Sequence, residues 1–382
     1  MEDELPLFRR FPALCAFLPR VSLGIWPTPV ERLSSLERQH GLPPFYVKRD
    51  DLSSPHYGGN KVRKLEFTLA DALRLGCRVV MTMGAAGSNH VLATAVHGRR
   101  LGLKTVALLF DQPCAEYVRR NLLLDACFGV RLRWASSIPL IPLAYLRERI
   151  YHLLRREKVY WLGPGGSSAL GCLGYVNAGL EIAEQVERGS LPDPGLVVTA
   201  MGTHGTAAGL WVGMKLAGLG SRLVGVGVVE TAYCNPFLWS RLANAVARLL
   251  KSMDPGIMIP RARPSDLLFI GDQLGRGYAY LTPEDVQAVR EAHELEGLML
   301  EGTYTGKALA AALRLGGASG GKPILFVNTY NSADLSHLIE GIDYHVLPAP
   351  FHRFFTAPWR ELEEELVSLT CAGDGDNSAG AA

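Results

Sequence analysis

One lysine is set up for chemistry by its neighbours. In Gly58-Gly59-Asn60-Lys61-Val62-Arg63-Lys64-Leu65-Glu66, two glycines and an asparagine precede Lys61 at the entrance to a helical pattern. Val62, Leu65, Leu69 and Leu73 fall on one stripe at the spacing of an amphipathic helix. Lys61 then stands at the helix start, where the macrodipole disfavours a cation. A lysine so placed has a reason to titrate low, which suits a Schiff-base amine. Read alone, the fragment fits a solvated surface lysine equally well.

Three further glycine-rich turns follow strand-like runs, where open α/β sheets bind ligands. They are Gly84-Ala85-Ala86-Gly87-Ser88-Asn89-His90, Gly163-Pro164-Gly165-Gly166-Ser167-Ser168, and Ala200-Met201-Gly202-Thr203-His204-Gly205-Thr206-Ala207-Ala208-Gly209. The third runs from strand to turn to helix. Its small residues and hydroxyls leave backbone N–H groups open to an anion. Any one such loop is also explained by glycines that merely permit tight turns. None matches GxxxxGK[ST] or GxGxxG, so a nucleoside triphosphate or NAD is not favoured.

The elements that must hold these turns alternate along the chain. Strand patterns cover Arg78–Met83, Thr105–Phe110, Val130–Trp134, Val159–Leu162, Leu196–Ala200, Leu223–Val229 and Ile324–Val327. Helical patterns fall between them, at Asn89–Arg100, Ala115–Ala126 and Asp285–Glu296, the last opened by Thr282 as N-cap and Pro283 in the first turn. Strands separated by helices predict parallel βαβ units. Gly163–Gly174 reads as a crossing between two lobes or as a long βα loop. There is no internal repeat, and the small, polar Cys371–Ala382 is expected to fray.

A chain of 382 residues with 48% apolar and 20% charged residues has ample core for one large or two ordinary domains. Its net charge of +2 gives no reason to expect a nucleic-acid or membrane partner. Seven scattered cysteines without a CxxC pair imply neither a disulfide framework nor a zinc site. The apolar run Ala13–Leu18 is short, bracketed by Pro12 and Pro19, and unlike a signal peptide. The expectation is a cytoplasmic protein without a metal.

Six pieces, VKRDDL…GGNKVRKLEF, GSNH, GGSSALGCLGYV, MGTHGTAAGL, GRGY and GTYTGKALA, occur in an order that resembles one family. It is the D-cysteine desulfhydrase and 1-aminocyclopropane-1-carboxylate (ACC) deaminase group of pyridoxal-phosphate (PLP) enzymes. The resemblance runs from about Pro27 to Val327. It implies the two-lobed α/β architecture of fold type II, like the tryptophan synthase β-subunit, with parallel-rich open sheets flanked by helices. A smaller lobe at 63–173 would be inserted in a larger one built from 1–62 and 174–370, with PLP in the cleft and a homodimer as the assembly. Lys61 would carry PLP as a Schiff base and act as base. Asn60 would belong to the cofactor-binding set, and Asn89 would bond the phenolic oxygen. Ser88 would sit beside the substrate carboxylate, and Gly202, Thr203, His204, Gly205 and Thr206 would cradle the phosphate. Tyr278 would face the substrate with Tyr304 nearby, and Thr305 would contact the pyridine nitrogen. Taken singly, Ser88 is also a good N-cap, the two tyrosines good core residues, and Thr305 a helix-start residue.

Within the group, Ser88-Asn89-His90 and Gly165–Gly171 resemble the desulfhydrase branch, whereas ACC deaminases usually carry Gln at the position of His90. ACC deaminases also place Glu where this chain has Thr305, and a carboxylate there makes the ring a stronger electron sink. The resemblance therefore implies a carbon–sulfur lyase that eliminates the β-substituent of a small amino acid, with D-cysteine giving pyruvate, sulfide and ammonia. Cysteate or another β-substituted alanine is a further substrate of that type. The alternatives are ACC deaminase, giving 2-oxobutanoate and ammonia, and a PLP-binding protein with little catalysis. The chain departs from the group's pattern in three places. Leu92 and Ala93 stand where relatives often carry Arg and Gln, and Asn328-Thr329-Tyr330-Asn331 replaces His-Thr-Gly-Gly. Both changes are expected in the pocket wall. Met201 replaces a small or hydroxyl residue before the phosphate loop.

Overall fold

Strands alternate with helices through residues 5–358, which with residue 362 are described by this computed structural model. The strands are β1 (Val30–Arg32), β2 (Phe45–Lys48), β3 (Val79–Ala85), β4 (Lys104–Phe110), β5 (Arg131–Ser136), β6 (Val159–Trp161), β7 (Leu196–Met201), β8 (Arg222–Gly227), β9 (Leu267–Ile270) and β10 (Ile324–Val327). The principal helices are α1 (Asn60–Arg74), α2 (Asn89–Arg100), α3 (Glu116–Cys127), α4 (Ile141–Leu154), α5 (Ala169–Glu187), α6 (Gly205–Ala217), α7 (Pro236–Met253), α8 (Pro283–Glu296) and α9 (Lys307–Arg314). The segment 371–382, expected to fray, lies outside the described residues.

Two sheets result. One has six strands in the order β1-β2-β10-β7-β8-β9, and the other four in the order β5-β4-β3-β6. Every pairing is parallel except β1 with β2. The seven strands expected from the sequence all form, with ends moved by two residues at most. Three were not anticipated: β1, β2 and β9, only three or four residues long, too short to display an alternation. Helix α2 has the expected bounds, and α8 opens on a capping box. In that box Thr282 Oγ1 accepts from the Asp285 N–H at 3.3 Å, while Asp285 Oδ2 accepts from the Thr282 N–H at 2.8 Å.

Helix α1 positions Lys61, and it is more enclosed than its stripe implies. Val62, Leu65 and Leu69 are fully buried, and each such burial stabilises by about 1.5–3 kcal/mol. Leu73, expected on the same stripe, is 37% exposed because it lies in the final turn. On the other faces Arg63 and Glu66 are buried as well. Arg63 donates to Asp50 Oδ1 at 2.7 Å and to Glu181 Oε2 at 3.0 Å, tying α1 to α5. Glu66 Oε1 accepts from the Leu23 N–H at 3.0 Å and from Trp26 Nε1 at 3.0 Å. The helix is thus held by charge-assisted bonds that a polar stripe on a solvated helix would not make.

The segment Gly163–Gly174 is a short βα loop up to Ser168 and helix from Ala169 on. It leaves β6 of the four-stranded sheet and enters α5, where the Ser168 side chain caps the helix by accepting from the Gly171 N–H at 3.0 Å. Helix α5 then packs against α1, α6 and α7.

Candidate active site

A cavity of about 740 Å³ opens at the C-terminal ends of parallel strands from both sheets. Residues closing β3, β4, β5 and β7 line it, together with the turn before α1 and the loop after β10. Asn60, Lys61, Ser88, Asn89, Gly202, Thr203, His204, Gly205, Thr206, Tyr278, Tyr304 and Thr305 all border this one space.

Lys61 is the second residue of α1, and its Nζ donates to Asn60 Oδ1 at 2.8 Å. Burial and the neighbouring Lys64 charge hold the Lys61 pKa well below that of an ordinary lysine, against the pull of Glu301. Burial disfavours the charged ammonium, and with its side chain bordering the cavity the surface-lysine reading falls. The turn that delivers it requires glycine: Gly59 has φ of 83°, and a Cβ there would lie 2.5 Å from the Tyr330 carbonyl oxygen. Asn331 Oδ1 accepts from the Gly58 N–H at 2.6 Å, and the Thr329 carbonyl accepts from the Asn60 N–H at 3.2 Å. The loop after β10 thus fixes the lysine turn.

The loop from β7 into α6 forms a cradle. His204 adopts a left-handed conformation, φ 65°, and the Gly205 N–H donates to the Thr203 carbonyl at 2.8 Å, but no side chain caps α6, so the N–H groups that follow in its first turn remain available to an anion. Asn60 Nδ2 donates to Thr206 Oγ1 at 3.1 Å, joining the cradle to the lysine turn. At Gly205 a Cβ would come within 2.4 Å of Ser167 Oγ and 2.9 Å of Lys64 Nζ. Lys64 donates to the Gly165 carbonyl at 3.1 Å and to Ser167 Oγ at 3.3 Å, and burial brings its pKa down to about 8. It therefore still carries a proton at pH 7. Burial lowers His204 to about 4, so the positive charge beside the cradle comes from Lys64.

Two polar groups face this lysine end. Ser88 caps α2, its Oγ accepting from the Val91 N–H at 3.4 Å. Asn89 Oδ1 accepts from Tyr57 OH at 3.3 Å and from Asn121 Nδ2 at 2.9 Å, which leaves the Asn89 NH₂ as a donor toward the cavity. His90 is buried and neutral, its Nε2 3.0 Å from Thr82 Oγ1. The Tyr278 and Tyr304 hydroxyls lie 2.7 Å apart, and burial raises both pKa values, so the pair keeps its protons.

Thr305 is fully buried in a single π-type turn, Gly302–Gly306. Its hydroxyl donates to Glu301 Oε1 at 3.3 Å and accepts from the Glu301 N–H at 3.0 Å. Glu301 caps the turn, accepting from the N–H groups of Thr303, Tyr304 and Thr305 at 2.8, 2.8 and 2.9 Å. Burial raises its pKa while those N–H groups oppose the rise.

Sequence reasoning missed Glu301, Lys64, Tyr57, Asn121 and Ser167 as members of this site. Lys64 had a signal, being one turn from Lys61 on the same helix. It also misplaced three residues, Leu92, Ala93 and Asn328. Leu92 and Ala93 do not line the cavity: one turn into α2, they pack fully buried beside Val62, Leu65 and Leu69 of α1. Of the loop after β10, Thr329, Tyr330 and Asn331 border the cavity, while buried Asn328 turns away and donates to the Met299 carbonyl at 3.3 Å.

Residues 21–329 match the family model described as pyridoxal-phosphate dependent enzyme. The chain belongs to that family. A relative from Pyrococcus horikoshii, named "Putative 1-aminocyclopropane-1-carboxylate deaminase", is 36% identical over 83% of this chain and 93% of its own length. A relative of the same name from Thermotoga maritima is 35% identical over 81% of this chain and 95% of its own length. A crystal structure of an ACC deaminase homologue superposes with a TM-score of 0.71 at 33% identity, covering 86% of this chain and 98% of that one. A crystal structure of a threonine deaminase from T.th. shares the fold alone, with a TM-score of 0.55 at 20% identity over 86% of this chain and 98% of that one. The architecture is α/β of fold type II, with parallel-rich sheets flanked by helices.

The side chains present fit the family's cofactor. A lysine amine whose pKa burial lowers, an uncapped helix start with a charged lysine beside it, and an open amide donor border one cavity. Among the described residues no cluster of side chains suits a metal ion, and no helix is long and apolar enough to cross a membrane.

Proposed function

We propose that this PLP-dependent enzyme releases ammonia from a small α-amino acid, with ACC, giving 2-oxobutanoate, as the first substrate to test. The observation that carries the reading is the Lys61 amine, its pKa lowered by burial, in the same cavity as the hydrogen-bonded Tyr278–Tyr304 hydroxyl pair. The names of the relatives favour ACC. Bound at Lys61, PLP supplies the electron sink for the bond broken at the substrate's Cα.

Lys61 Nζ accepts and returns the protons that the substrate exchanges. Ser88 Oγ and the start of α2 bind the substrate carboxylate. The Asn89 NH₂ donates to the cofactor's phenolic oxygen. Gly202, Thr203, His204, Gly205 and Thr206, with Asn60 and Lys64 behind them, hold the phosphate. Tyr278 moves a proton at the substrate's Cβ, and Tyr304 holds its hydroxyl in place. Thr305 meets the ring nitrogen. The smaller lobe spans 63–173 and the larger one 1–62 and 174–370, of which 1–4, 359–361 and 363–370 lie outside the described residues. The assembly is a cytoplasmic homodimer, which the mass by light scattering checks.

A second reading, β-elimination of D-cysteine to pyruvate, sulfide and ammonia, is supported by Thr305, because a hydroxyl there gives the ring less electron demand than a carboxylate. Elimination needs less, since the thiolate leaves with the electron pair. Assaying purified enzyme with ACC and D-cysteine for 2-oxobutanoate, pyruvate and sulfide separates the two by kcat/KM. Inactivity on these and on a panel of small D- and L-amino acids would discard both and leave a PLP-binding protein with little catalysis.

A further inference from the structure

We infer that the outer face of α7 holds a second ligand site, one that takes a small polyphosphorylated molecule. A groove of about 440 Å³ lies between α7 and the loop through Arg261, and it shares no lining residue with the cavity at Lys61. Its walls present Arg241, Arg248, Lys251 and Arg261 and no acidic residue. Arg241, Asn244, Arg248 and Lys251 recur at the spacings that put side chains on one helix face. Arg261 faces them because Asn244 grips the next residue from both sides: its Nδ2 donates to the Ala262 carbonyl and its Oδ1 accepts from the Ala262 N–H, each at 2.9 Å.

These four cations lack what others on this surface have. Arg9, Arg32, Lys104 and Lys322 each reach a carboxylate within 3.1 Å. Among the described residues, Arg241, Arg248, Lys251 and Arg261 have no carboxylate within 4.0 Å. Asp254, close in sequence, is turned to its own loop, accepting from the Gly256 N–H at 2.9 Å. Four like charges held together without a counterion form a local field that focuses anions. A volume in the range of small-molecule pockets, about 300–1,000 Å³, argues for a compact polyanion over a duplex or a membrane. Ile257 and Ile259 offer an apolar floor to whatever carries the phosphates. The start of α7 reaches the cradle, where the Asn235 N–H donates to His204 Nε2 at 3.3 Å, and Arg248 lies roughly 20 Å further along the helix.

The test is calorimetric titration of PLP-loaded enzyme with inorganic tripolyphosphate and, separately, with adenosine triphosphate. Micromolar binding that weakens with salt is expected, and the Arg248→Glu/Lys251→Glu double variant should lose at least thirtyfold in affinity with unchanged PLP absorption and melting temperature. Equal affinities would assign recognition to phosphate alone, and tighter adenosine triphosphate would add the apolar floor. Absence of binding, undiminished binding by the double variant, release of PLP on titration, or preference for a short DNA duplex or phosphatidylserine vesicles over tripolyphosphate would each overturn the site.

Discussion

Lys61 and Lys64 stand one turn apart on α1 and border the same cavity, yet their amines are held differently, Lys61 at 2.8 Å from Asn60 Oδ1 and Lys64 at 3.1 Å from the Gly165 carbonyl. Burial and the Lys64 charge hold the first well below the usual lysine pKa, and burial brings the second down to about 8. Their variants should therefore differ. Lys61→Ala should lose the visible absorption of lysine-bound PLP and the adduct trapped by borohydride. Lys64→Ala should keep both but bind PLP about tenfold to a hundredfold more weakly, as expected for one lost charge-assisted contact. Equilibrium dialysis with PLP measures the difference, and a trapped adduct in Lys61→Ala would move the attachment elsewhere.

The Tyr278–Tyr304 hydroxyl contact is the basis of a second expectation. With both pKa values raised by burial, each hydroxyl stays protonated through the neutral range. Removing a positioned proton donor costs on the order of 10²–10⁴-fold in rate. Tyr278→Phe should lower kcat by that order with PLP still bound, and Tyr304→Phe should lower it less, because it removes only the group that orients Tyr278. Equal kcat in Tyr278→Phe and the parent enzyme would remove Tyr278 from the reaction.

The glycine turn at Lys61, the strand-to-helix cradle and the caps at Ser88 and Thr282 were legible in the sequence because each is a local backbone requirement with a residue signature. Glu301 was not. Its partners are the N–H groups of its own turn, and glutamate is not among the favoured N-cap residues. Leu92 and Ala93 were misread because a motif position does not say which face of α2 meets α1. The strands β1 and β2 stayed hidden for another reason: a pair so short is recognised only through its partner β10, some 280 residues later in the chain.

Thr305 allows the electronic argument to be tested with the structure in view. Its hydroxyl is already bonded to Glu301 and fully buried, so Thr305→Glu would set a second carboxylate against the first. Like charges at that separation raise one pKa strongly, and a proton shared there offers the ring nitrogen an acid partner. Thr305→Glu should lower the melting temperature, shift the absorption of bound PLP, and move the product ratio away from elimination. Thr305→Ser, which keeps the hydroxyl, should leave spectrum and ratio unchanged. An unaltered spectrum and unaltered products in Thr305→Glu would mean that residue 305 does not meet the ring.

The ionic cluster under α1 sets the pH range in which the lysine turn is held. Glu181 accepts from Lys48 Nζ at 2.5 Å and from Arg63 Nη1 at 3.0 Å, with all three side chains buried. Burial pushes the Glu181 carboxyl up, but the Arg63 and Lys48 charges outweigh it and bring the pKa down to about 2. A carboxylate whose folded pKa is depressed stabilises the fold above its unfolded pKa and loses that contribution as pH falls toward the folded value. The enzyme should therefore lose stability through Glu181 between about pH 4.5 and about 2, and hold it constant above. Glu181→Gln leaves Lys48 and Arg63 undercompensated and should cost about 3–5 kcal/mol at pH 7, the range for breaking a buried pair. It should also flatten the acid limb, because the group that takes up the proton is gone. Melting temperatures of both proteins across pH 2.5–7 decide the matter: a Glu181→Gln curve parallel to the parent's would place the acid sensitivity in other carboxylates.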